Sequence, residues 1–138
     1  MSYSHVIDSY AWIEYFRASE EGKRAREYIE GEGSATPSIV VAEVSRKLLR
    51  EVEEGRETPD QRTRHIEFIR ATSQILDLTF DTGMVAGENA VAMEKRSRRW
   101  GLADSIVLMN ARAARAKVVT GDEHFRDIKE TIFIKNEV

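Results

Sequence analysis

The part of the sequence that decides the fold runs from Gly101 to Asp122 and reads GLADSIVLMNARAARAKVVTGD. Gly101 interrupts the chain before an alanine-rich segment, 103–116, which predicts a helix. The next four residues, Lys-Val-Val-Thr at 117–120, predict a short strand. Asp104 stands in the first turn of the helix, and Asp122 follows the strand after one glycine. A helix that feeds directly into a strand is typical of an α/β domain.

The same alternation of strand and helix extends outward over the rest of the chain. Further strands are predicted to end at Val6-Ile7 and to cover 35–36, 75–80 and 131–135. Further helices are predicted around Trp12–Ser19, over 23–30, from Ile39 to Gly55, from Thr58-Pro59-Asp60 onward, and from a cap at Asp81 or Thr82 to about Arg99. This order predicts a single domain over residues 1–138, of class α/β, with a three-layer α/β/α arrangement and a mainly parallel central sheet.

Composition excludes several classes of function. The 138 residues include 21 Lys+Arg and 24 Asp+Glu, and the net charge of −3 has the wrong sign for a sequence-blind polyanion binder. The absence of cysteine excludes disulfides and thiolate chemistry, and three scattered histidines make a zinc site improbable. No stretch is long and apolar enough to span a membrane, and the first eight residues show neither a basic leader nor a long apolar segment, so we expect no secretory signal. We therefore expect a cytoplasmic protein.

Four acids stand at the ends or inner faces of predicted elements. Asp8 and Asp122 follow strands, and the carboxyl ends of parallel strands open onto one edge, where ligands bind. Glu43 lies on or beside the apolar stripe of its helix, and Asp104 begins another helix. If these carboxylates converge, their repulsion raises their pKa values unless a divalent cation is present. An all-oxygen cluster favours Mg²⁺ or Mn²⁺ over zinc.

Each acid also has a purely structural interpretation. Asp8 could initiate the turn after its strand, and Asp104 could be a carboxylate favoured by the helix dipole. Asp122 could cap the short turn at 123–125, and Glu43 could reach solvent from the edge of its stripe. Each spacing alone is weak evidence, and the joint placement of the four acids is stronger.

Four segments together resemble a PIN domain, most closely the VapC-type toxin branch. They are Val6-Ile-Asp-Ser-Tyr-Ala-Trp-Ile-Glu-Tyr-Phe16, Ser38-Ile-Val-Val-Ala-Glu-Val44, Gly101-Leu-Ala-Asp-Ser-Ile106 and Val118-Val-Thr-Gly-Asp-Glu-His-Phe125. The acidic positions of that family map onto Asp8, Glu43, Asp104 and Asp122. Thr120 matches a hydroxyl that supports the acidic site in the family.

The resemblance implies a metal-dependent endoribonuclease, the toxin of a type II toxin–antitoxin pair, that binds a cognate antitoxin and forms a homodimer. Its cofactor would be Mg²⁺ or Mn²⁺, and its substrate would be RNA. Our hypothesis is that Asp8 and Asp104 are the main direct ligands. Glu43 and Asp122 would act partly through water, by positioning the nucleophile or by holding a second ion.

A basic segment, Lys95-Arg-Ser-Arg-Arg-Trp100, precedes Asp104. Arg96, Arg98 and Arg99 could contact RNA phosphates, with Trp100 either stacked on a base or packed in the core. A solvated basic helix end is an equally good interpretation of the cations.

Trp12, Tyr15 and Phe16 form an aromatic stripe that core packing explains best. In the PIN family a groove near the first helices receives an antitoxin segment. We therefore also consider a hydrophobic antitoxin-binding patch that includes Tyr15 or Phe16.

Other classes of protein remain possible from the sequence. A phospho-receiver-like regulatory module would use Asp81 as phosphoacceptor and Lys135 as its partner. It would leave Glu43 and Asp104 unexplained. A PIN-like fold could also have lost catalysis and serve as a binding module, although all four acids are present. The short chain disfavours a structure-specific DNA nuclease.

Overall fold

The computed structural model describes residues 2–135, and helices surround one central sheet within them. The strands are β1 (His5–Ile7), β2 (Ser34–Pro37), β3 (Gln74–Leu76), β4 (Lys117–Thr120) and β5 (Thr131–Phe133). The helices are α1 (Ser9–Phe16), α2 (Glu20–Glu30), α3 (Ser38–Glu53), α4 (Pro59–Thr72), α5 (Phe80–Glu94) and α6 (Leu102–Ala114), and a 3₁₀ turn covers Glu123–Phe125.

The sheet has five strands in the order β3-β2-β1-β4-β5, and every neighbouring pair is parallel. This confirms the predicted three-layer α/β/α class. The chain adds β2 and β3 on one side of β1 and then β4 and β5 on the other. The strand order therefore reverses between β1 and β4, and ligands of open parallel sheets bind at such a switch point.

The core consists of the central strands and the inner faces of the helices. Val6 and Ile7 of β1 and Val118 and Val119 of β4 are completely buried, as expected for strands covered on both faces. The indole Nε1 of the buried Trp12 donates a hydrogen bond of 3.1 Å to Thr36 Oγ1, so its polar atom is satisfied.

Two helices show how local sequence sets their position. In α3, the residues at helical spacing, Val40, Val44 and Leu48, are all buried, as the apolar stripe predicts. In α4, Thr58 Oγ1 accepts from Gln61 N at 3.1 Å, and Gln61 Oε1 accepts from Thr58 N at 2.9 Å. This capping box confirms the predicted helix start.

The region around residue 80 differs from the sequence prediction. The alternating run 75–80 predicted a strand, but β3 ends at Leu76 and α5 begins at Phe80. The side chain of Thr79 accepts a hydrogen bond from Thr82 N at 3.1 Å, so Thr79 caps the helix rather than Asp81 or Thr82. The capping hydrogen bond of Thr79 therefore determines the local structure here, and the alternation of apolar residues does not.

Helix α5 also ends before the predicted Arg99, at Glu94. The amides of Arg96 and Ser97 both bond to Met93 O at 2.9 Å, which closes the last turn. Within residues 2–135, none of the helices combines the length and apolar character needed to cross a membrane.

Candidate active site

The fold brings the four predicted acids to the carboxyl edge of the sheet. Asp8 directly follows β1 and Asp122 follows β4, so these two lie at the switch point. Glu43 lies in the second turn of α3, which begins at this edge directly after β2. Asp104 lies in the first turn of α6, and its carboxylate contacts His124, two residues after Asp122, at 2.9 Å.

Thr120 joins the two acids that follow the strands. Its hydroxyl donates a 2.8 Å hydrogen bond to Asp8 Oδ2 and accepts one of 3.0 Å from the backbone amide of Asp122. Thr120 is fully buried, and Asp8 is only 5% exposed. Asp8 occupies the N-cap position of α1 without the usual side-chain capping hydrogen bond, although a hydrogen bond with the backbone of Ser9 counteracts part of the rise in its pKa.

Asp104, Asp122 and His124 form the second part of the cluster, and one potential ligand atom from each lies within 4.8 Å of the others. Asp104 Oδ2 accepts from Gly101 N at 3.0 Å and contacts His124 Nδ1 at 2.9 Å. Asp122 Oδ1 accepts from His124 N at 2.9 Å. Both aspartates thus make the structural bonds expected from their positions and also face the cluster. Sequence reasoning missed His124, although its place two residues after Asp122 was a usable signal.

The pKa values of Asp8 and Glu43 are raised, in part because the neighbouring carboxylates repel their negative charge. Burial raises the pKa of Asp8 to about 7, and the negative charges of Glu43 and Asp104 add to the rise while the Thr120 hydroxyl opposes it. Burial also raises the pKa of Glu43; Asp104 and Asp122 add to this rise, while Ser9 and Arg46 oppose it. The four acids are therefore close enough to influence each other electrostatically.

Glu123, the neighbour of Asp122, belongs to a different environment. Its carboxylate is bonded to Arg126 Nε at 2.7 Å and to Lys135 Nζ at 3.0 Å. The hydrogen bonds from Arg126 and Lys135 lower its pKa to about 2. Glu123 is thus neutralised by surface cations, whereas Asp122 faces the acid cluster.

The residues present fit a divalent cation. Carboxylate oxygens that raise each other's pKa gain stability when a cation lies between them, and hard oxygen donors suit Mg²⁺ or Mn²⁺. Asp104, Asp122 and His124 offer ligand atoms within 4.8 Å of one another. Asp8 and Glu43 lie outside that group, but the neighbouring acids act on their pKa values, so they could hold an ion from the same edge of the sheet.

The predicted basic segment lies next to this cluster. Arg96 and Arg99 line a groove of about 620 Å³ together with Asp122 and His124, whereas Arg98 is exposed and does not line it. We call this space the α5-side groove.

Trp100 is a core residue. It is only 3% exposed, and its ring centroid lies 5.1 Å from that of Phe125. Its Nε1 donates to Ser105 Oγ at 2.7 Å. The interpretation that Trp100 stacks on an RNA base is therefore wrong, and the core interpretation is confirmed.

The aromatic stripe of α1 divides between core and surface. Trp12 is fully buried, while Tyr15 and Phe16 are partly exposed and line an apolar groove of about 460 Å³ with Phe68 and His65. Cationic side chains also line this groove, which we call the aromatic groove: Lys23, Arg26 and Arg64.

The phospho-receiver alternative is contradicted by the placement of its two residues. Asp81 is exposed in the first turn of α5 instead of following a strand. Lys135 is bonded to Glu123, not to an aspartate of the cluster.

Comparison with known proteins agrees with this geometry. The family model of the PIN domain matches residues 5–131. The chain belongs to the PIN domain family. This family consists of nucleases. None of the curated protein sequences compared with this PIN domain matches it significantly.

Solved structures share the fold of this PIN domain. A toxin–antitoxin complex from Klebsiella pneumoniae is 24% identical, with a TM-score of 0.67 over 96% of this chain and 99% of that one. VapBC2 from Rickettsia felis, bound to a DNA fragment from its promoter, is 18% identical, with a TM-score of 0.71 over 94% and 96%. A protein from Pyrobaculum aerophilum is 17% identical, with a TM-score of 0.72 over 97% and 92%.

Proposed function

We propose that this PIN domain is a divalent-metal-dependent endoribonuclease and the VapC-type toxin of a type II toxin–antitoxin pair. The observation that carries the proposal is the meeting of Asp8, Glu43, Asp104 and Asp122 at the switch point of a parallel sheet. The toxin–antitoxin and VapBC2 complexes among the structural neighbours support the toxin assignment.

Asp8 and Asp104 are the proposed main ligands of Mg²⁺ or Mn²⁺, because neighbouring groups hold both carboxylates in place. Thr120 holds Asp8, and the amide of Gly101 holds Asp104. Glu43 and Asp122 are proposed to act partly through water or at a second ion. A bound divalent cation would activate a water molecule and polarise the phosphoryl oxygen. Thr120 fixes one oxygen of Asp8 through its hydrogen bond and thereby orients the carboxylate.

The aromatic groove is the proposed antitoxin site. Tyr15, Phe16 and Phe68 supply its aromatic surface, and Lys23, Arg26 and Arg64 line it together with Glu30, which pairs with Arg26 at 3.2 Å. An apolar segment flanked by acidic residues fits such a surface. We expect alanine substitution of both Tyr15 and Phe16 to weaken binding of the cognate antitoxin at least tenfold by titration calorimetry; unchanged affinity would contradict this site.

A second copy of the chain is the proposed partner for the outer face of α5. Phe80 is 86% exposed, and Met84 and Val91 follow it on the same face of the helix. We expect a homodimer in sedimentation analysis that Phe80→Glu dissociates. We also propose that the chain forms a single PIN domain and works in the cytoplasm, where its RNA substrate and antitoxin would be found.

Cleavage of RNA tests the proposed activity. Structured and single-stranded RNAs, including a circular RNA that only an endonuclease can open, are incubated with Mg²⁺, Mn²⁺ or EDTA. We expect metal-dependent cleavage by the wild type that falls at least about 100-fold in Asp104→Asn. Glu67→Gln is the matched control, because Glu67 is an exposed acid of α4 whose carboxylate is bonded to Arg70.

Cleavage that persists in EDTA, or equally in Asp104→Asn, would contradict the proposal. Binding of Mn²⁺ and of antitoxin without cleavage of any RNA would favour the inactive binding module.

A further inference from the structure

Two grooves meet at the acid cluster, and the basic segment 95–100 lines only one of them. The α5-side groove contains Arg96 and Arg99. A second groove of about 310 Å³ leaves the cluster along α3 and is lined by Glu43 and the cations Arg46, Lys47 and Arg50. Tyr10 and Asp122 line both grooves. We call the second space the α3 groove. The acids thus lie at the junction of two grooves that both contain cations, although acidic side chains such as Asp127 in the first and Glu14 in the second line them as well.

The cations of the α3 groove are arranged along one face of the helix. Glu43, Arg46, Lys47 and Arg50 occupy positions i, i+3, i+4 and i+7, which share a face of an α-helix. Seven residues at 1.5 Å each span about 10 Å, so the cations lead outward from the cluster. Arg46 is close enough to Glu43 to oppose the rise in its pKa.

Two of these cations make no close ion pair, although Arg46 acts on the pKa of Glu43. Arg46 and Arg50 are exposed, and neither makes an ion pair within residues 2–135. Lys47 makes one long contact of 3.8 Å with Glu51, whose same oxygen is already bonded to Arg17 at 2.6 Å. The arginine charges are therefore available to an external anion.

We propose that the α3 groove is a second phosphate-binding passage, so that one RNA strand runs from the α5-side groove across Asp122 into the α3 groove. Arg46 and Arg50 contact phosphates on one side of the cleaved bond, and Arg96 and Arg99 contact phosphates on the other. This assignment rests on the proposed ribonuclease function. A protein of net charge −3 needs local cations to hold a polyanion over four carboxylates, and cations on both sides place an internal bond at the acids.

RNA binding at several salt concentrations tests the passage. The measurement is the fluorescence anisotropy of a labelled single-stranded RNA in the Asp104→Asn background, which prevents cleavage. Arg46→Ala/Arg50→Ala is compared with Arg96→Ala/Arg99→Ala. Lys117→Ala/Lys129→Ala is the matched control, because both lysines are exposed and lie toward the opposite edge of the sheet, Lys117 as the first residue of β4 and Lys129 two residues before β5.

Each arginine pair is expected to lower the slope of log affinity against log salt by about 1.4, since one phosphate contact to a single strand contributes about 0.7. Affinity at 0.1 M salt then falls about 25-fold, and the lysine control leaves it unchanged. Circular dichroism and thermal melting check that all variants fold, as expected for exposed arginines.

A slope for Arg46→Ala/Arg50→Ala equal to that of the lysine control would overturn the passage, even if the Arg96/Arg99 pair weakens binding. Loss of antitoxin affinity in that variant, with RNA binding intact, would likewise overturn it and assign the α3 groove to the antitoxin. Failure of the ribonuclease proposal is distinguishable, because it appears as absent metal-dependent cleavage by the wild type.

Discussion

Replacing Asp8 with asparagine is expected to stabilise the metal-free protein at pH 8 while removing its activity. Burial raises the pKa of Asp8 from 3.8 to about 7, with Glu43 and Asp104 adding to the rise. The folded protein therefore binds more protons than the unfolded chain between about pH 4 and pH 7. Its free energy of unfolding falls as the pH rises through this range.

The size of the effect follows from the two pKa values. They differ by about 3, and one pKa unit corresponds to about 1.4 kcal/mol, so the full penalty at pH 8 is about 4 kcal/mol. Asparagine keeps an oxygen that can accept from Thr120, but its amide hydrogens need new partners. We therefore expect Asp8→Asn to be about 2–4 kcal/mol more stable than the wild type at pH 8, with little difference near pH 4.

Urea unfolding in EDTA at pH 4 and pH 8 measures this difference. Glu123→Gln serves as the control, because the contribution of Glu123 to stability depends on pH in the opposite direction to that of Asp8. Its hydrogen bonds to Arg126 and Lys135 lower the pKa of Glu123 to about 2, so its contribution is present at neutral pH and lost as the pH falls toward 2. A variant Asp8→Asn that is no more stable than the wild type at pH 8, or equally stabilised at both pH values, would refute the electrostatic reasoning.

Three further substitutions probe the supports of the site. Thr120→Val removes the hydroxyl that donates to Asp8 and accepts from the Asp122 amide. We expect the free energy of unfolding in urea to fall by about 2–3 kcal/mol and RNA cleavage to slow. Wild-type values for both measurements would count against a positioning role of Thr120. Gly121→Ala would bring a Cβ into steric conflict with the Tyr10 ring, so we expect a loss of about 1–3 kcal/mol in stability and weaker cleavage. Full activity would show that the loop accommodates the methyl group. Trp100→Phe loses the hydrogen bond to Ser105, so we expect the free energy of unfolding to fall by about 1 kcal/mol. RNA affinity in the anisotropy assay should be unchanged, and a large drop in affinity would support stacking of Trp100 on a base after all.

The sequence predicts the class of fold well because the strongest signals are local. The alanine-rich helix, the Lys117–Thr120 strand and the Thr58-Pro59 helix start all lie where pattern and capping place them. Around Phe80 the prediction of a strand fails, because alternating apolar residues are compatible both with a strand and with the start of a helix. The hydrogen bond from Thr82 N to the Thr79 side chain, which sequence alternation does not reveal, favours the helix.

The candidate site is predicted less completely, because periodicity places a residue on an element but does not give its contacts. The rule for carboxyl ends of parallel strands places Asp8 and Asp122 together, and the structure adds that Thr120 bridges them. The position of His124 near Asp122 could have been predicted, but its contact with Asp104 and the approach of the α3 cations to the acids depend on packing between distant elements.

Paramagnetic broadening by Mn²⁺ is the most direct test of the claim that the four carboxylates form a metal centre. In ¹⁵N-labelled wild-type protein, low concentrations of Mn²⁺ are expected to broaden first the amide signals of Asp8, Gly101, Thr120 and Asp122, and Asp104→Asn is expected to abolish this at the same concentration. Broadening that begins elsewhere, or that persists unchanged in Asp104→Asn, would contradict the account.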